Sequence, residues 1–144
     1  MSGLYQAFET NKDLENSGIE LDYGKNSKGA PIRIRIARAG GANKRFAKVL
    51  DRLLRPYKRQ LANDQLSDDV AKDVMIQAYA DAVVLGWEGV GDREGNPMEF
   101  SRENVVKLFT DLPELFLDVQ QQSQKAALFL VDILEGEQGN SQKS

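Results

Sequence analysis

Residues 43–61 read NKRFAKVLDRLLRPYKRQL and carry the clearest structural pattern in the chain. Their apolar residues recur every three or four positions, which is the spacing of an amphipathic helix. The residues on this apolar face are Phe46, Val49, Leu50, Leu53, Leu54, Tyr57 and Leu61. Pro56 lies inside the pattern and has no backbone donor, so we expect the helix to kink or end near Arg55.

The sequence before this helix predicts a β-hairpin. Apolar and polar residues alternate in 19–23 (IELDY) and again in 31–37 (PIRIRIA), and the loop-forming stretch GKNSKG separates the two. A two-stranded hairpin is marginal by itself in water. The isoleucine face of the second strand therefore needs a helix or a partner to cover it.

The sequence after the first helix predicts three more helices. Ser67 is followed by two aspartates, which indicates a helix start. One apolar face then continues until Gly86 ends the helix, and it comprises Val70, Val74, Ala78, Ala82 and Leu85. Ser101 caps a third helix that runs to about Asp111. Pro113 opens a fourth, which we expect to continue to Gly136. The predicted fold class is therefore mainly α, a compact bundle of about four helices with a short N-terminal β-hairpin.

The chain length suits one domain. A sequence of 144 residues, 41% of them hydrophobic, can bury a single core. We predict an N-terminal arm, extended or weakly helical, over 1–18 and a single helical domain over 19–135. The last stretch, 136–144, has no apolar residue and is predicted to be a disordered tail.

The composition argues against an enzyme. Cysteine and histidine are absent, which removes thiolate and imidazole ligands and the Ser-His and Cys-His nucleophile pairs. The stretch 92–103 has the oxygen ligands of a calcium loop but carries Pro97 where such a loop needs glycine. We therefore predict no catalytic residues, cofactor or metal. No apolar run is long enough to span a bilayer and no signal pattern is seen, so we expect no membrane partner and a cytoplasmic location.

Charge is distributed unevenly along the chain. Residues 31–60 hold ten basic residues against one acid, whereas the rest holds nine basic and twenty-one acidic residues. Three interpretations stay open: nucleic-acid binding, which the overall charge of −3 does not favour; an acidic protein partner; or a face that is hydrated or docks on the chain's own acidic helices. For a partner-binding surface we predict a charged part and an apolar groove. The charged part comprises Arg33, Arg35, Arg38, Arg52 and Arg55, and the groove begins with Phe109, Phe116 and Leu130.

Two stretches, 31–60 and 78–129, resemble the tail assembly chaperones of long-tailed (siphovirus-type) bacteriophages. The second is the more specific, because it combines VLGWEG at 84–89, a polar turn leading to Pro97, and LPELF at 112–116 followed by a long helix.

The resemblance implies a non-catalytic factor that binds the tape measure protein, keeps it soluble and helps to recruit the major tail tube protein in the host bacterial cytoplasm. It also implies absence from the mature virion, and self-association stays open. Two alternatives remain: a structural tail completion or connector protein, and a small nucleic-acid-binding regulator.

Overall fold

The computed structural model of the chain describes residues 3–130, and a three-stranded antiparallel sheet organises them. The strands are β1 (Ile19–Lys25), β2 (Pro31–Ile36) and β3 (Val84–Glu88), and β2 lies in the middle. Ile36 is level with a β1 residue on one side and with a β3 residue on the other. The predicted hairpin of β1 and β2 is therefore confirmed, and β3 joins it from a distant part of the sequence.

Residues 3–130 also form seven α-helices, numbered in the order of the chain. They are α1 (Leu4–Phe8), α2 (Lys12–Ser17), α3 (Lys44–Leu54), α4 (Lys58–Ala62), α5 (Asp68–Ala82), α6 (Arg102–Asp111) and α7 (Pro113–Ser123). A 3-10 turn at Arg55–Tyr57 separates α3 from α4, as Pro56 predicts. Ser67 and Ser101 both act as N-caps, because each hydroxyl accepts a hydrogen bond from the backbone N–H three residues later, at 3.2 and 3.1 Å.

The core lies between the sheet and helices α5, α6 and α7. Its central residue is Tyr79 of α5, whose ring packs edge-on against Phe46 and Phe116 with centroids 5.4 and 5.3 Å away. The Tyr79 hydroxyl is 2.8 Å from the Ser123 hydroxyl, so this buried polar group has a partner. The other buried residues of this cluster are Ile34, Ile36, Ile76, Ala80, Val83, Val84, Val105, Phe109 and Val119.

The predicted fold class is wrong, because the described residues form a mixed α/β structure rather than a four-helix bundle with a hairpin. The sequence pattern extended the second helix through Val84 and Leu85. The structure ends α5 at Ala82, and the next residues form β3, which pairs with β2. The short apolar run at 82–85 fits a helix and a buried strand equally well. Pairing with β2 decides for the strand, because it satisfies backbone groups along the second edge of β2.

The predicted fourth helix is shorter than expected. Helix α7 ends at Ser123 and is followed by a 3-10 turn at Ala126–Phe129. The Ser123 carbonyl accepts a hydrogen bond from the Ala39 N–H (2.9 Å), and Phe129 is fully buried. Both contacts require the chain to change direction after Ser123, because an uninterrupted helix would carry Phe129 away from the core. The end of that predicted helix and the predicted tail, 136–144, lie outside the described residues.

The N-terminal residues are attached to this domain through α2. The Glu15 carbonyl accepts a hydrogen bond from the Arg38 N–H (2.9 Å), and the Phe129 carbonyl accepts one from the Asn11 N–H (2.7 Å). Thr10 also forms an antiparallel bridge with Leu130. Helix α2 therefore packs on the domain, and α1 precedes it at the surface.

Candidate partner-binding surfaces

The two arginines of β2 lie on the solvent face of the sheet. The Arg33 guanidinium is 2.7 Å from the Glu88 carboxylate on β3. Arg35 lies 3.5 Å from the Glu20 carboxylate on β1 and also donates to the carbonyls of the α2–β1 junction. Asp22 is the cross-strand neighbour of Arg33. Two cations therefore face three acids, so this part of the predicted charged surface has no excess of positive charge.

Arg38 is partly buried, with its side chain 21% exposed. Its guanidinium is 2.5 Å from the Glu15 carboxylate, which is only 1% exposed, and the Ala42 N–H donates to the same carboxylate (3.0 Å). A Cβ at Gly41 would lie 2.5 Å from a carboxylate oxygen, so this close approach requires glycine. Burial raises the pKa of Glu15, but hydrogen bonds from Arg38, Ala42 and Thr10 lower it by more, so the net pKa falls below its ordinary value. Through its contact with Glu15, Arg38 therefore attaches α2 to the domain.

Arg52 belongs to an ion-pair network between α3, α5 and α6. Its guanidinium is 3.4 Å from the Asp81 carboxylate, and Arg102 binds the same carboxylate at 2.5 Å. Arg45 donates to the Asp81 carbonyl. Hydrogen bonding to Asp81 raises the pKa of Arg102. Asp81 thus neutralises much of the positive charge on this side of α3.

The remaining basic residues of α3 and its continuation form a surface that we call the basic ridge. All of its members are exposed. It comprises Lys44, Lys48, Arg55, Lys58 and Arg59. Among the described residues, the one carboxylate within salt-bridge distance of the ridge is that of Asp51, 3.2 Å from Arg55. Of the five arginines predicted for the charged surface, only Arg55 lies on the ridge.

The three predicted groove residues are not brought together at a surface. Phe109 and Phe116 are 0% and 4% exposed and pack against each other with ring centroids 5.0 Å apart. Leu130 is partly exposed and lies beside Thr10 at the N-terminal helices. The structure places the two phenylalanines in the core, where they stabilise the domain.

Sequence reasoning missed the apolar face of α1. Leu4, Tyr5 and Phe8 are 76%, 83% and 69% exposed, the three highest values among the large hydrophobic residues described. The signal was present, because positions 4 and 8 fall on one side of a helix and position 5 lies next to them. The sequence pattern was too short to separate such a helix from an extended arm.

A groove runs between the tip of the hairpin and the loop that follows β3. Its volume is about 810 Å³. Trp87 forms one wall, with its indole N–H donating to the Met98 carbonyl (2.9 Å) and its ring edge-on to Phe100. The Asp92 carboxylate in this loop accepts the N–H groups of Glu94 and Asn96 at 3.0 and 2.9 Å. That carboxylate therefore stabilises a polar turn, as the sequence predicts.

Residues 3–130 contain neither a cluster of metal-binding side chains nor a membrane-spanning helix. No group of three or more acidic, histidine or cysteine side chains in this range is arranged to hold a metal ion. No helix in it combines the length and the apolar content needed to cross a membrane.

A region of the chain that covers most of its described helices matches a known protein family. A family model described as YdaY prophage protein matches residues 41–140, more than two thirds of the chain. The matched range begins just before α3, so the N-terminal helices, β1 and β2 precede it. No curated protein and no solved structure matches.

Proposed function

Because the chain belongs to the YdaY prophage protein family and is therefore phage-derived, we propose that it is a tail assembly chaperone. It binds the tape measure protein, keeps it soluble, and helps to recruit the major tail tube protein in the host bacterial cytoplasm. It is absent from the mature virion. The family match supports the phage origin, and the resemblance of 31–60 and 78–129 to tail assembly chaperones supports the role.

The observation that carries the proposal is the exposed apolar face of α1. Exposed apolar patches on soluble proteins commonly mark sites of protein interaction. A client rich in amphipathic helices is held through apolar contacts of this kind. Helix α1 is next to the anchored α2, so Leu4, Tyr5 and Phe8 face solvent beside a rigid domain. This arrangement suits reversible contact with a long helical client.

Co-expression with the tape measure protein of the same prophage tests the role. We expect the wild-type chain to raise the soluble fraction of the tape measure protein and to co-purify with it. A variant with Leu4, Tyr5 and Phe8 all changed to serine should lose both effects. Its fold should persist, because exposed positions usually change stability by less than about 0.5 kcal/mol.

The matched control changes three other exposed leucines, Leu112, Leu117 and Leu128, to serine. This control should keep client binding. Equal loss in the two variants would show that the α1 face is not the client surface. A tape measure protein whose solubility does not respond to the wild-type chain would refute the chaperone role itself.

The alternative of a structural tail completion or connector protein differs in one measurable respect. Such a protein stays in finished particles, whereas a chaperone leaves. Mass spectrometry of particles purified after prophage induction should detect the tape measure and tail tube proteins without this chain. Detection at a stoichiometry like that of a tail component would favour the structural alternative.

A further inference from the structure

The basic ridge lies on the side of α3 that faces away from the core. Lys44, Lys48 and Arg55 fall on one stripe of a 3.6-residue helix, opposite Val49 and Leu53, which pack toward α5. Lys58 and Arg59 extend this stripe beyond the turn at Pro56. The ridge spans about 15 residues, or roughly 22 Å at the rise of a helix. This length matches about four turns of a second helix.

The ridge lowers the stability of the helix that carries it. Lys44 and Lys48 are four residues apart on α3, and like charges at this spacing cost about 0.2–0.5 kcal/mol per pair. Helices α5, α6 and α7 each have an acidic residue in the first turn, whereas α3 has none and begins with Lys44 and Arg45. Positive charge there opposes the helix dipole. Such local conflicts are typical of functional surfaces.

The acids described near the ridge do not neutralise it. Asp81 is already bound by Arg52 and Arg102. The Asp51–Arg55 pair is exposed on both sides, at 62% and 64%, so it exchanges readily with solvent. Within residues 3–130 no other carboxylate approaches a ridge cation within 4.0 Å. Within the described part of the chain, most of the ridge's positive charge is therefore left for an external partner.

We propose that the basic ridge is the docking surface for an acidic amphipathic helix of a protein partner. Leu61 is 49% exposed and lies one turn beyond Lys58, so an apolar contact adjoins the cations. Two features disfavour a nucleic acid: the chain carries a net charge of −3, and the ridge has no aromatic member on which a base could stack. This inference rests on the proposed function only for the partner's identity, the client polypeptide.

Fluorescence anisotropy with two labelled probes tests the proposal. The first probe is an amphipathic helical peptide with one glutamate face and one leucine face, and the second is a random-sequence DNA long enough to stay double-stranded. The ridge variant carries Lys44→Glu, Lys48→Glu and Arg59→Glu. The control variant carries Lys25→Glu, Lys28→Glu and Lys125→Glu, three exposed lysines elsewhere that give the same change in charge.

We expect the peptide to bind the wild-type chain and the Kd to rise at least about tenfold in the ridge variant, a loss of about 1.4 kcal/mol. The control should change the Kd by less than about threefold, and the difference between variants should shrink in high salt. The ridge variant should unfold at a temperature no lower than that of the wild type. Lys44→Glu places a negative charge in the first turn of α3, where it interacts favourably with the helix dipole.

Three outcomes would overturn the proposal: no peptide binding by the wild type, equal weakening in both variants, or tighter binding of the duplex than of the peptide. The two proposals fail separately. If the peptide binds through the ridge but the chain has no effect on tape measure solubility, the docking proposal is supported and the chaperone role is refuted. If the chain raises tape measure solubility but peptide binding does not depend on the ridge, the chaperone role is supported and the docking proposal is refuted.

Discussion

Glu15 is the residue on which attachment of the N-terminal helices most depends. Its carboxylate is almost fully buried and is satisfied by Arg38, the Ala42 N–H and Thr10. A buried charge is tolerated only with such partners, and removing one partner from a buried pair typically costs about 3–5 kcal/mol. Arg38, which the charge pattern marks as a surface residue, is for this reason an anchor of the fold.

The stability of the protein should depend on the ionisation of Glu15. Its pKa in the folded chain lies below the ordinary value of 4.5, so the carboxylate stabilises the fold fully above that pH. This contribution is lost as the pH falls through the folded pKa. The Glu15→Gln variant should be less stable than the wild type at neutral pH, and the difference should shrink below pH 4.5. Urea unfolding of both proteins across this range provides the measurement.

The Asp13→Asn variant is the control for that experiment, since Asp13 is an exposed acid on the same helix. Its stability difference from the wild type should stay small at every pH. A constant difference between Glu15→Gln and the wild type down to pH 3 would contradict the assignment of this titration to Glu15.

Strand β3 is the element that makes the fold mixed α/β, and the backbone after it must approach β2 closely. Gly89 has a φ of +77°, and a Cβ there would lie 2.0 Å from the Pro31 carbonyl oxygen. The Gly89 carbonyl also accepts from the Asn26 side chain (3.1 Å). The end of β3, the start of β2 and the hairpin tip therefore meet at one glycine.

Two glycine substitutions should separate this close approach from a general effect on the strand. Gly89→Ala should lower the free energy of unfolding by more than about 1 kcal/mol, because both its φ and its neighbours exclude a side chain. Gly86 lies within β3 with open space around it, so Gly86→Ala should be neutral or stabilising by up to about 1 kcal/mol. Chemical denaturation monitored by Trp87 fluorescence measures both. Equal effects of the two substitutions would contradict the proposed clash.

At the scale of the whole molecule, one core joins the sheet to helices from both halves of the sequence. Ile34 and Ile36 of β2 belong to the same buried cluster as Tyr79 of α5, Phe109 of α6 and Phe116 of α7. Helix α3 adds a smaller cluster on the other side of α5. These elements cannot bury their apolar faces separately, so their stabilities are coupled.

We expect this coupling to give a single cooperative unfolding transition. Trp87 lies in β3 and reports on the sheet, whereas far-ultraviolet circular dichroism is dominated by the helices. The two signals should therefore show the same denaturant midpoint, which is a test of two-state behaviour. Midpoints that differ reproducibly would show that the sheet and the helices unfold as separate units.

The sequence by itself determined the elements whose signals are local. The apolar period of α3, the caps at Ser67 and Ser101, the break at Pro56 and the alternation of the hairpin all predicted what forms. Each signal depends on residues within a turn or two of one another, so no distant contact was needed to recognise it. The same holds for the excess of basic residues over 31–60, which is a property of the chain alone.

Only the tertiary structure decided what depends on pairing across the sequence. Val84 to Glu88 became a strand because β2 offered an open edge, and α7 ended at Ser123 because Phe129 had to reach the core. The same applies to the candidate surface. Sequence could count the cations, but distant acids, Glu88 for Arg33 and Asp81 for Arg52, determined which of them are neutralised. Charges interact through space over a few ångströms, and the fold alone sets those distances.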